Sequence, residues 1–271
     1  MTLSSVVFVG GGNMAGALMG GLVRSGWAAS AISVIEPEAS RRAVLEASLG
    51  VRALGTADPT LGDAECVVWA VKPQLFQAAA APCAAHIAGA LQLSVMAGIR
   101  SDAIVRATGS DRVVRAMPNT PALIGKGISG LYARPAVSPD ECVEVERLLA
   151  PTGEALWVER EEQLDAVTAL SGSGPAYVFY VLEAWIDAGV ELGLSPAQSR
   201  QLALSTLAGA TALAQDAGEP PEVLRQRVTS KGGTTHAAIS SLDADGVKAA
   251  FLRALKAAHR RAAELGDEFG R

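Results

Sequence analysis

The sequence predicts an α/β domain with a doubly wound, mostly parallel sheet, followed by an all-helical domain. Short β-branched apolar runs alternate with helical patterns in the first half of the chain, as expected of βαβ units. After about Glu161 the strand signal disappears and only helical patterns remain. We therefore expect one domain over residues 1–160 and a second over residues 161–271.

The first strand is predicted at residues 5–9, and the motif Gly10-Gly11-Gly12-Asn13-Met14-Ala15-Gly16 follows it. The motif matches G-x-G-x-x-A, and residues 14–25 are predicted to be a helix. Glycines permit a tight turn close to a pyrophosphate, whose charge a helix N-terminus favours. A purely structural glycine turn is the alternative. The strand before and the helix after favour a Rossmann dinucleotide loop, with cofactor contacts from Gly10, Gly12, Asn13, Met14 and Ala15.

A second strand, predicted at Ala31–Ile35, ends at Glu36, about twenty residues past the loop. An acidic side chain there can accept hydrogen bonds from an adenosine ribose, which favours NAD over NADP. Arg41 and Arg42 follow closely and could instead pair with the 2′-phosphate of NADP, or be exposed residues of the next helix. We expect cofactor contacts from Glu36 and Arg41, and the choice between NADPH and NADH stays open.

Three further strands are predicted at Cys66–Val71, Leu91–Met96 and Arg112–Ala116. In an open α/β sheet, ligands bind beyond the carboxyl ends of the strands, so the segments that follow all three point to one crevice. A surface position for Lys72 and a rigid proline-flanked turn around Asn119 are the alternatives. From the ends of these strands we expect cofactor contacts by Ala70, Val71, Lys72, Pro73, Ala97, Gly98 and Asn119, the last at the nicotinamide end.

The second half is predicted to be helical throughout. A helix at Asp165–Leu170 breaks at Ser171–Pro175, and a long apolar helix follows at Ala176–Leu192. Ser195 and Pro196 start the next helix, which runs to about Gln215; a short helix ends at Val228 and a final one spans Val247–Glu264. Several helices are apolar on more than one face, so we expect part of this surface to meet another subunit. A compact monomeric bundle is the alternative.

Residues 228–236 carry two glycines and four hydroxyl-bearing residues, before a helix predicted at Ala237–Leu242. Glycines let consecutive backbone N–H groups converge on an anion at a helix start. We expect Ser230 and the N–H groups of Gly232, Gly233 and Thr234 to hold a small carboxylate. Thr234 and Thr235 are expected to cap the helix or to donate a hydroxyl to the ligand. An ordinary helix cap after a glycine turn is the alternative.

Composition restricts the class of protein. The chain has 271 residues, 49% of them hydrophobic, and a net charge of −5, which argues against a general nucleic-acid-binding protein. The apolar runs are shorter than the roughly 18–20 residues that span a bilayer, and the N-terminus does not have the pattern of a signal peptide. Three distant cysteines without metal-ligand spacing favour a reducing cytoplasm and no metal site.

Taken in order, these motifs resemble those of Δ1-pyrroline-5-carboxylate reductases over nearly the whole chain. The matching segments are Gly10–Ala15, Ala70–Gln74, Arg115–Pro121, Ser171–Tyr177 and Thr229–Thr235. The resemblance implies a Rossmann domain followed by an all-helical dimerisation domain, with homodimers commonly assembled into decamers. It also implies hydride transfer from NADPH or NADH to C5 of a cyclic imine, giving L-proline in the last step of proline biosynthesis.

The resemblance also implies roles for particular residues. The loop matching Ser230 to Thr235 binds the substrate carboxylate, and Thr235 matches the catalytic threonine that hydrogen-bonds the ring nitrogen. Ser171 and Gly172 border this pocket. Many bacterial members carry a polar residue or an Asn-Arg pair where this chain has Glu36 and Pro37, so the cofactor preference stays open.

Two other functions remain as alternatives. β-Hydroxyacid dehydrogenases share the domain plan but carry a catalytic Lys early in the long helix, and residues 175–186 contain no Lys. A non-enzymatic NAD(P)H sensor would bind the dinucleotide without needing the loop at residues 230–235.

Overall fold

The structure is a computed structural model that describes residues 3–270. The chain divides into two compact units. The first comprises the chain up to Ser173 together with the segment from Ala258 onward, and the second comprises Gly174–Ala257.

The first unit is built on an eight-stranded sheet, counted over the described residues. Its strands are β1 Val6–Val9, β2 Ile32–Ile35, β3 Arg52–Leu54, β4 Cys66–Trp69, β5 Leu91–Ser94, β6 Val113–Met117, β7 Gly127–Ala133 and β8 Gly153–Trp157. The strand order is β3-β2-β1-β4-β5-β6-β7-β8. Neighbours are parallel except for β6 and β7, which are antiparallel. The prediction of a doubly wound, mostly parallel sheet is confirmed.

Helices cover both faces of this sheet. They are α1 Asn13–Arg24, α2 Ala39–Leu49, α3 Phe76–Ala80, α4 Ala84–Ile87, α5 Ser101–Thr108, α6 Pro139–Leu149 and α7 Gln163–Val167. Side chains alternate along β1, so Phe8 packs in one apolar cluster with Leu18 of α1, whereas Val7 packs in the other with Phe76 of α3. Burial on both faces explains why the strands appear as continuous apolar runs.

Strands β3, β7 and β8 were not predicted, because their sequences contain few apolar β-formers. β7 contains glycines where neighbouring segments approach closely. A Cβ on Gly130 would lie 2.6 Å from Cγ1 of Val167 in α7, and one on Gly127 would lie 2.8 Å from the backbone N of Ala122. Packing therefore selects glycine in β7 and removes the strand signal.

The second unit contains helices and the loops that connect them, and no strand among its described residues. It contains α8 Gly174–Glu191, α9 Pro196–Ala217, α10 Pro221–Arg227, α11 Thr234–Ala244 and the first part of α12 Val247–Phe269. Ser195 and Gln198 form a capping box at the start of α9, as the Ser-Pro pair predicted. Helices α8 and α9 pack closely, since a Cβ on Gly189 would lie 2.6 Å from Oγ of Ser199. Within residues 3–270, no helix is both long and apolar enough to cross a membrane.

The predicted break at Ser171–Pro175 is confirmed only at Ser173, which separates two helical segments. Thr168–Gly172 form a π-helical turn that continues α7, with the Ser173 N–H donating to the Thr168 carbonyl at 2.8 Å. Pro175 lies in the first turn of α8, where its missing N–H has no intrahelical acceptor to lose. Small polar and glycine residues thus mark a π-helical turn here, and such turns are frequent at functional sites.

Candidate functional site

The glycine loop makes a tight turn between β1 and α1. Gly10 has φ of +97°, and a Cβ there would lie 2.7 Å from the Ala70 carbonyl oxygen. The Gly10 N–H donates to the Ile35 carbonyl at 2.9 Å, which holds the turn against the end of β2. Only glycine combines this backbone conformation with this close approach.

The start of α1 supplies free backbone donors beside this turn. Gly12 is the N-cap residue, and the first intrahelical bond runs from the Gly16 N–H to the Gly12 carbonyl at 2.8 Å. The N–H groups of Asn13, Met14 and Ala15 therefore have no intrahelical acceptor. Together with the helix dipole they favour an anion, so this loop fits the pyrophosphate of a dinucleotide.

Two adjoining cavities follow the carboxyl ends of the strands. The larger is about 480 Å³ and the smaller about 380 Å³, and both are lined by Gly12, Arg41, Ala70, Val71 and Lys72. The larger extends over further residues that include Gly10, Glu36, Pro37, Gly55, Thr56, Ala57, Ala79 and Cys83. The smaller extends over Asn13, Met14, Val95, Met96 and Ala97. Most of the predicted cofactor residues are thus brought to one groove at the sheet edge.

Three predicted cofactor residues lie outside the lining of these cavities, as does Asn119, whose contacts are described below. Ala15 is fully buried in the apolar cluster beneath α1, where its small size lets the helix approach the sheet. Pro73 begins the short 3₁₀ turn after Lys72. Gly98 has φ of +74° and lies against α12, where a Cβ would be 3.2 Å from the Leu265 carbonyl oxygen. Ala15 thus positions α1 against the sheet, and Pro73 and Gly98 shape the loops around the groove.

The side chains of Glu36 and Arg41 hydrogen-bond the backbone of the glycine loop. Oε2 of Glu36 accepts from the Gly11 N–H at 2.9 Å, and Oε1 accepts from the Glu38 N–H at 3.0 Å. Nε of Arg41 donates to the Gly11 carbonyl at 2.7 Å, and Nη2 donates to Oδ1 of Asn13 at 3.2 Å. A carboxylate and a guanidinium are therefore bound to the N–H and the C=O of the same loop residue, Gly11.

Gly55, Thr56 and Ala57 line the larger cavity but were not predicted. They follow β3, a three-residue strand that begins with an exposed Arg and carries little strand signal. Recognition of β3 would have placed them, because the carboxyl ends of parallel strands border the same crevice.

Asn119 and Ser171 contact each other, although they were predicted for different ligands. Nδ2 of Asn119 donates to Oγ of Ser171 at 3.2 Å, and Oδ1 of Asn119 accepts from the Ile128 N–H at 3.0 Å. Gly172 follows in the π-helical turn, where a Cβ would lie 2.5 Å from the methyl group of Met117. The end of β6 and the π-helical turn are therefore joined in the first unit.

A buried ion-pair network near α7 was also not predicted. Arg115 is 4% exposed and pairs with Glu161 at 2.8 Å, while Arg100 pairs with Asp165 at 2.7 Å. Burial raises the pKa of Glu161, but hydrogen bonds from Ser101 and the charge of Arg115 outweigh it and hold the pKa below its ordinary value. The hydrophobic periodicity of the sequence does not predict such a network, because its paired charged residues lie far apart in the sequence and meet only in the folded structure.

The carboxylate loop differs in detail from its prediction. Gly233 is the N-cap residue of α11 and makes no side-chain cap, so Thr234 and Thr235 are the first two helical residues rather than caps. The Gly233 N–H donates to the Ser230 carbonyl at 3.0 Å, which removes it from the expected set of anion donors. The first intrahelical bond runs from Ala237 to Gly233, so the N–H groups of Thr234, Thr235 and His236 have no intrahelical acceptor. Gly232, at φ of +78°, makes the turn that precedes them.

Among the described residues, no group of three or more His, Cys, Asp or Glu side chains could hold a metal ion. The three cysteines are free. Burial raises the pKa of Cys66 to about 12 and that of Cys83 to about 11, so neither forms a thiolate readily at neutral pH.

Known families match both parts of the chain. A family model described as pyrroline-5-carboxylate reductase dimerisation matches residues 161–265, and one described as NADP oxidoreductase, coenzyme F420-dependent, matches residues 5–98. A pyrroline-5-carboxylate reductase of Pseudomonas aeruginosa is 42% identical over 272 residues, covering 100% of both chains.

Solved structures agree with the sequence relatives. A pyrroline-5-carboxylate reductase from Coxiella burnetii is 34% identical with a TM-score of 0.90, and the match covers 97% of this chain and 99% of that one. Pyrroline carboxylate reductase of Plasmodium falciparum, solved with NADP bound, is 26% identical with a TM-score of 0.87, and the match covers 98% and 99% of the two chains.

Proposed function

The chain belongs to the pyrroline-5-carboxylate reductase family, and from this premise we propose that it reduces Δ1-pyrroline-5-carboxylate to L-proline with NADPH or NADH, the last step of proline biosynthesis. The observation that carries the proposal is the 42% identity to the pyrroline-5-carboxylate reductase of Pseudomonas aeruginosa, over the full length of both chains. The dinucleotide groove of the first unit and the carboxylate loop of the second support it independently.

The cofactor is held by the groove at the ends of the strands. Free N–H groups at the start of α1 bind the pyrophosphate, with Gly10 and Gly12 allowing close approach. Lys72, Ala70 and Val71 line both cavities along the path of the dinucleotide. When bound, the reduced nicotinamide supplies the hydride. Ala97 and Met14 line the smaller cavity beside the start of α1.

The substrate is held by backbone donors rather than by an acid–base pair. The N–H groups of Thr234, Thr235 and His236, favoured by the dipole of α11, bind the carboxylate of the imine. Oγ1 of Thr235 hydrogen-bonds the ring nitrogen and fixes C5 for attack. A protonated imine is already electrophilic, so positioning in a dry site supplies most of the rate enhancement. Ser171 and Gly172 remain proposed substrate contacts on the resemblance alone, and Ser171 accepts a hydrogen bond from Asn119.

The family's dimerisation domain is present, and the functional assembly is a homodimer through the C-terminal helices. Support comes from α8, none of whose described residues is buried in one chain; Phe179 and Tyr180 are 59% and 73% exposed. A second copy would cover this surface, because exposed apolar side chains grouped on one helix often mark a protein–protein interface. We extend the proposal to a decamer built from such dimers, and to a boundary near residue 160 between the cofactor-binding and the dimerisation domains. We also propose a cytoplasmic location, which is in keeping with the free cysteines.

Isotope transfer tests the reaction. Cofactor deuterated at C4 of the nicotinamide is incubated with Δ1-pyrroline-5-carboxylate and protein, and proline is analysed by mass spectrometry. The proposal expects L-proline that carries the deuterium at C5, and label transfer that is slower by roughly ten- to a thousandfold in Thr235→Ala. Binding of both cofactors without any proline would contradict it and would favour a non-enzymatic sensor. If the protein oxidised the reduced cofactor only while reducing a β-keto acid to a β-hydroxyacid, the result would favour the dehydrogenase alternative.

A further inference from the structure

The side chain of Glu36 is held in one orientation beside the glycine loop. Each of its carboxylate oxygens accepts one backbone N–H, and a Cβ on Gly11 would lie 3.1 Å from Oε2. Glu36 also lines the larger cavity, directly after β2. At this point of an open α/β sheet the adenosine ribose is bound, so a fixed carboxylate meets the 2′-position of the cofactor.

Arg42 is engaged by the backbone of residues that line the larger cavity. Its Nη1 donates to two backbone carbonyls, those of Glu36 at 2.8 Å and Pro37 at 2.7 Å. Its guanidinium lies beside Gly55, where a Cβ would be 3.4 Å from Cζ. Nη1 of Arg42 is therefore used to hold the turn after β2, and its partners are neutral carbonyls rather than the carboxylate of Glu36.

Arg41 is directed toward the glycine loop. Its donors go to the Gly11 carbonyl and to Asn13 at the start of α1, and it lines both cavities. The start of α1 is the anion site for the pyrophosphate, which NADH and NADPH share. The positive charge of Arg41 consequently favours both cofactors alike, and the negative charge of Glu36 is the group that separates them.

We propose that Glu36 makes this chain selective for NADH. Its fixed carboxylate accepts hydrogen bonds from the ribose hydroxyls of NADH, whereas the 2′-phosphate of NADPH would place a second anion against it. Repulsion between like charges in a partly buried site is expected to weaken NADPH binding about tenfold or more. The inference rests on the proposed function only in taking NADH and NADPH as the two candidate ligands.

Equilibrium binding without imine tests this selectivity. The dissociation constants of NADH and NADPH are measured by isothermal titration for wild type, Glu36→Gln, Glu36→Asp and Glu38→Gln. We expect wild type to prefer NADH, Glu36→Gln to move the ratio toward NADPH about tenfold or more, and Glu36→Asp to keep the preference for NADH. Glu38→Gln, an exposed carboxylate two residues on, is the matched control and should leave the ratio unchanged.

Either of two results would overturn the proposal: tighter binding of NADPH by wild type, or an unchanged ratio in Glu36→Gln. Thermal melting of each variant separates a change in binding from a failure to fold, and Glu36→Asp preserves the charge if Glu36→Gln does not fold. The failure of the reductase assignment would be distinguishable, because it would appear as absence of turnover while the two dissociation constants stayed measurable.

Discussion

Replacing Gly10 by Ala tests the glycine loop at its tightest point. The residue has φ of +97°, a conformation that costs an L-residue roughly 1–2 kcal/mol. Its new Cβ would lie 2.7 Å from the Ala70 carbonyl oxygen and 2.9 Å from Cγ1 of Val71, and overpacking of this kind costs about 1–3 kcal/mol. Together these effects are expected to lower the free energy of unfolding by about 2–5 kcal/mol.

Gly16→Ala is the matched control. Gly16 lies in α1 with a negative φ, and a Cβ there would have no atom within 4 Å outside the helix's own neighbouring backbone. Alanine in a helix interior stabilises by roughly 0.5–1 kcal/mol relative to glycine. Urea denaturation of both variants and titration with NADH measure the two effects. Gly10→Ala should also weaken NADH binding more than about tenfold, because the loop must shift at the pyrophosphate. Equal stability and equal NADH affinity in both variants would refute the reasoning.

Three further predictions concern other parts of the molecule. Thr235→Ala should lower turnover roughly ten- to a thousandfold while Thr235→Ser retains most of it, as steady-state kinetics would show; an active alanine variant removes Thr235 from the mechanism. The lowered pKa of Glu161 in the folded state means that its stabilising contribution is present above its ordinary pKa of 4.5 and is lost as the pH falls through the folded value. Glu161→Gln should therefore lower the free energy of unfolding by about 3 kcal/mol at pH 7, because Arg115 would be buried without its counter-charge. The melting temperature of this variant should fall less between pH 5 and pH 3 than that of wild type. Parallel profiles of melting temperature against pH would contradict this prediction. Phe179→Glu should yield smaller assemblies in light scattering coupled to size exclusion, and an unchanged mass would place the interface elsewhere.

The sequence predicts the parts of the fold that repeat a strong local pattern. The ends of β1, β2, β4, β5 and β6 were predicted to within two residues, because buried parallel strands are continuous apolar runs. The start of α9 was placed by the Ser-Pro pair, since the cap depends only on adjacent residues. β7 could not be recognised, because contacts with distant segments require its glycines.

The same distinction holds for the candidate site. The glycine motif placed the groove, and the resemblance pointed to the loop at residues 230–235. The partners of individual side chains depended on tertiary packing: Asn119 bonds Ser171, and the Gly233 N–H is taken by Ser230. The separate roles of Glu36 and Arg41 likewise emerged only from their hydrogen bonds to the N–H and the C=O of Gly11.

The most direct test of the central claim is the initial rate of cofactor oxidation with Δ1-pyrroline-5-carboxylate, measured for NADH and NADPH in parallel with wild-type protein. The reductase assignment predicts rapid, imine-dependent oxidation that Thr235→Ala abolishes or strongly reduces, and the selectivity of Glu36 predicts a higher kcat/KM with NADH. Imine-dependent oxidation of neither cofactor, by a protein that still binds both, would contradict the assignment.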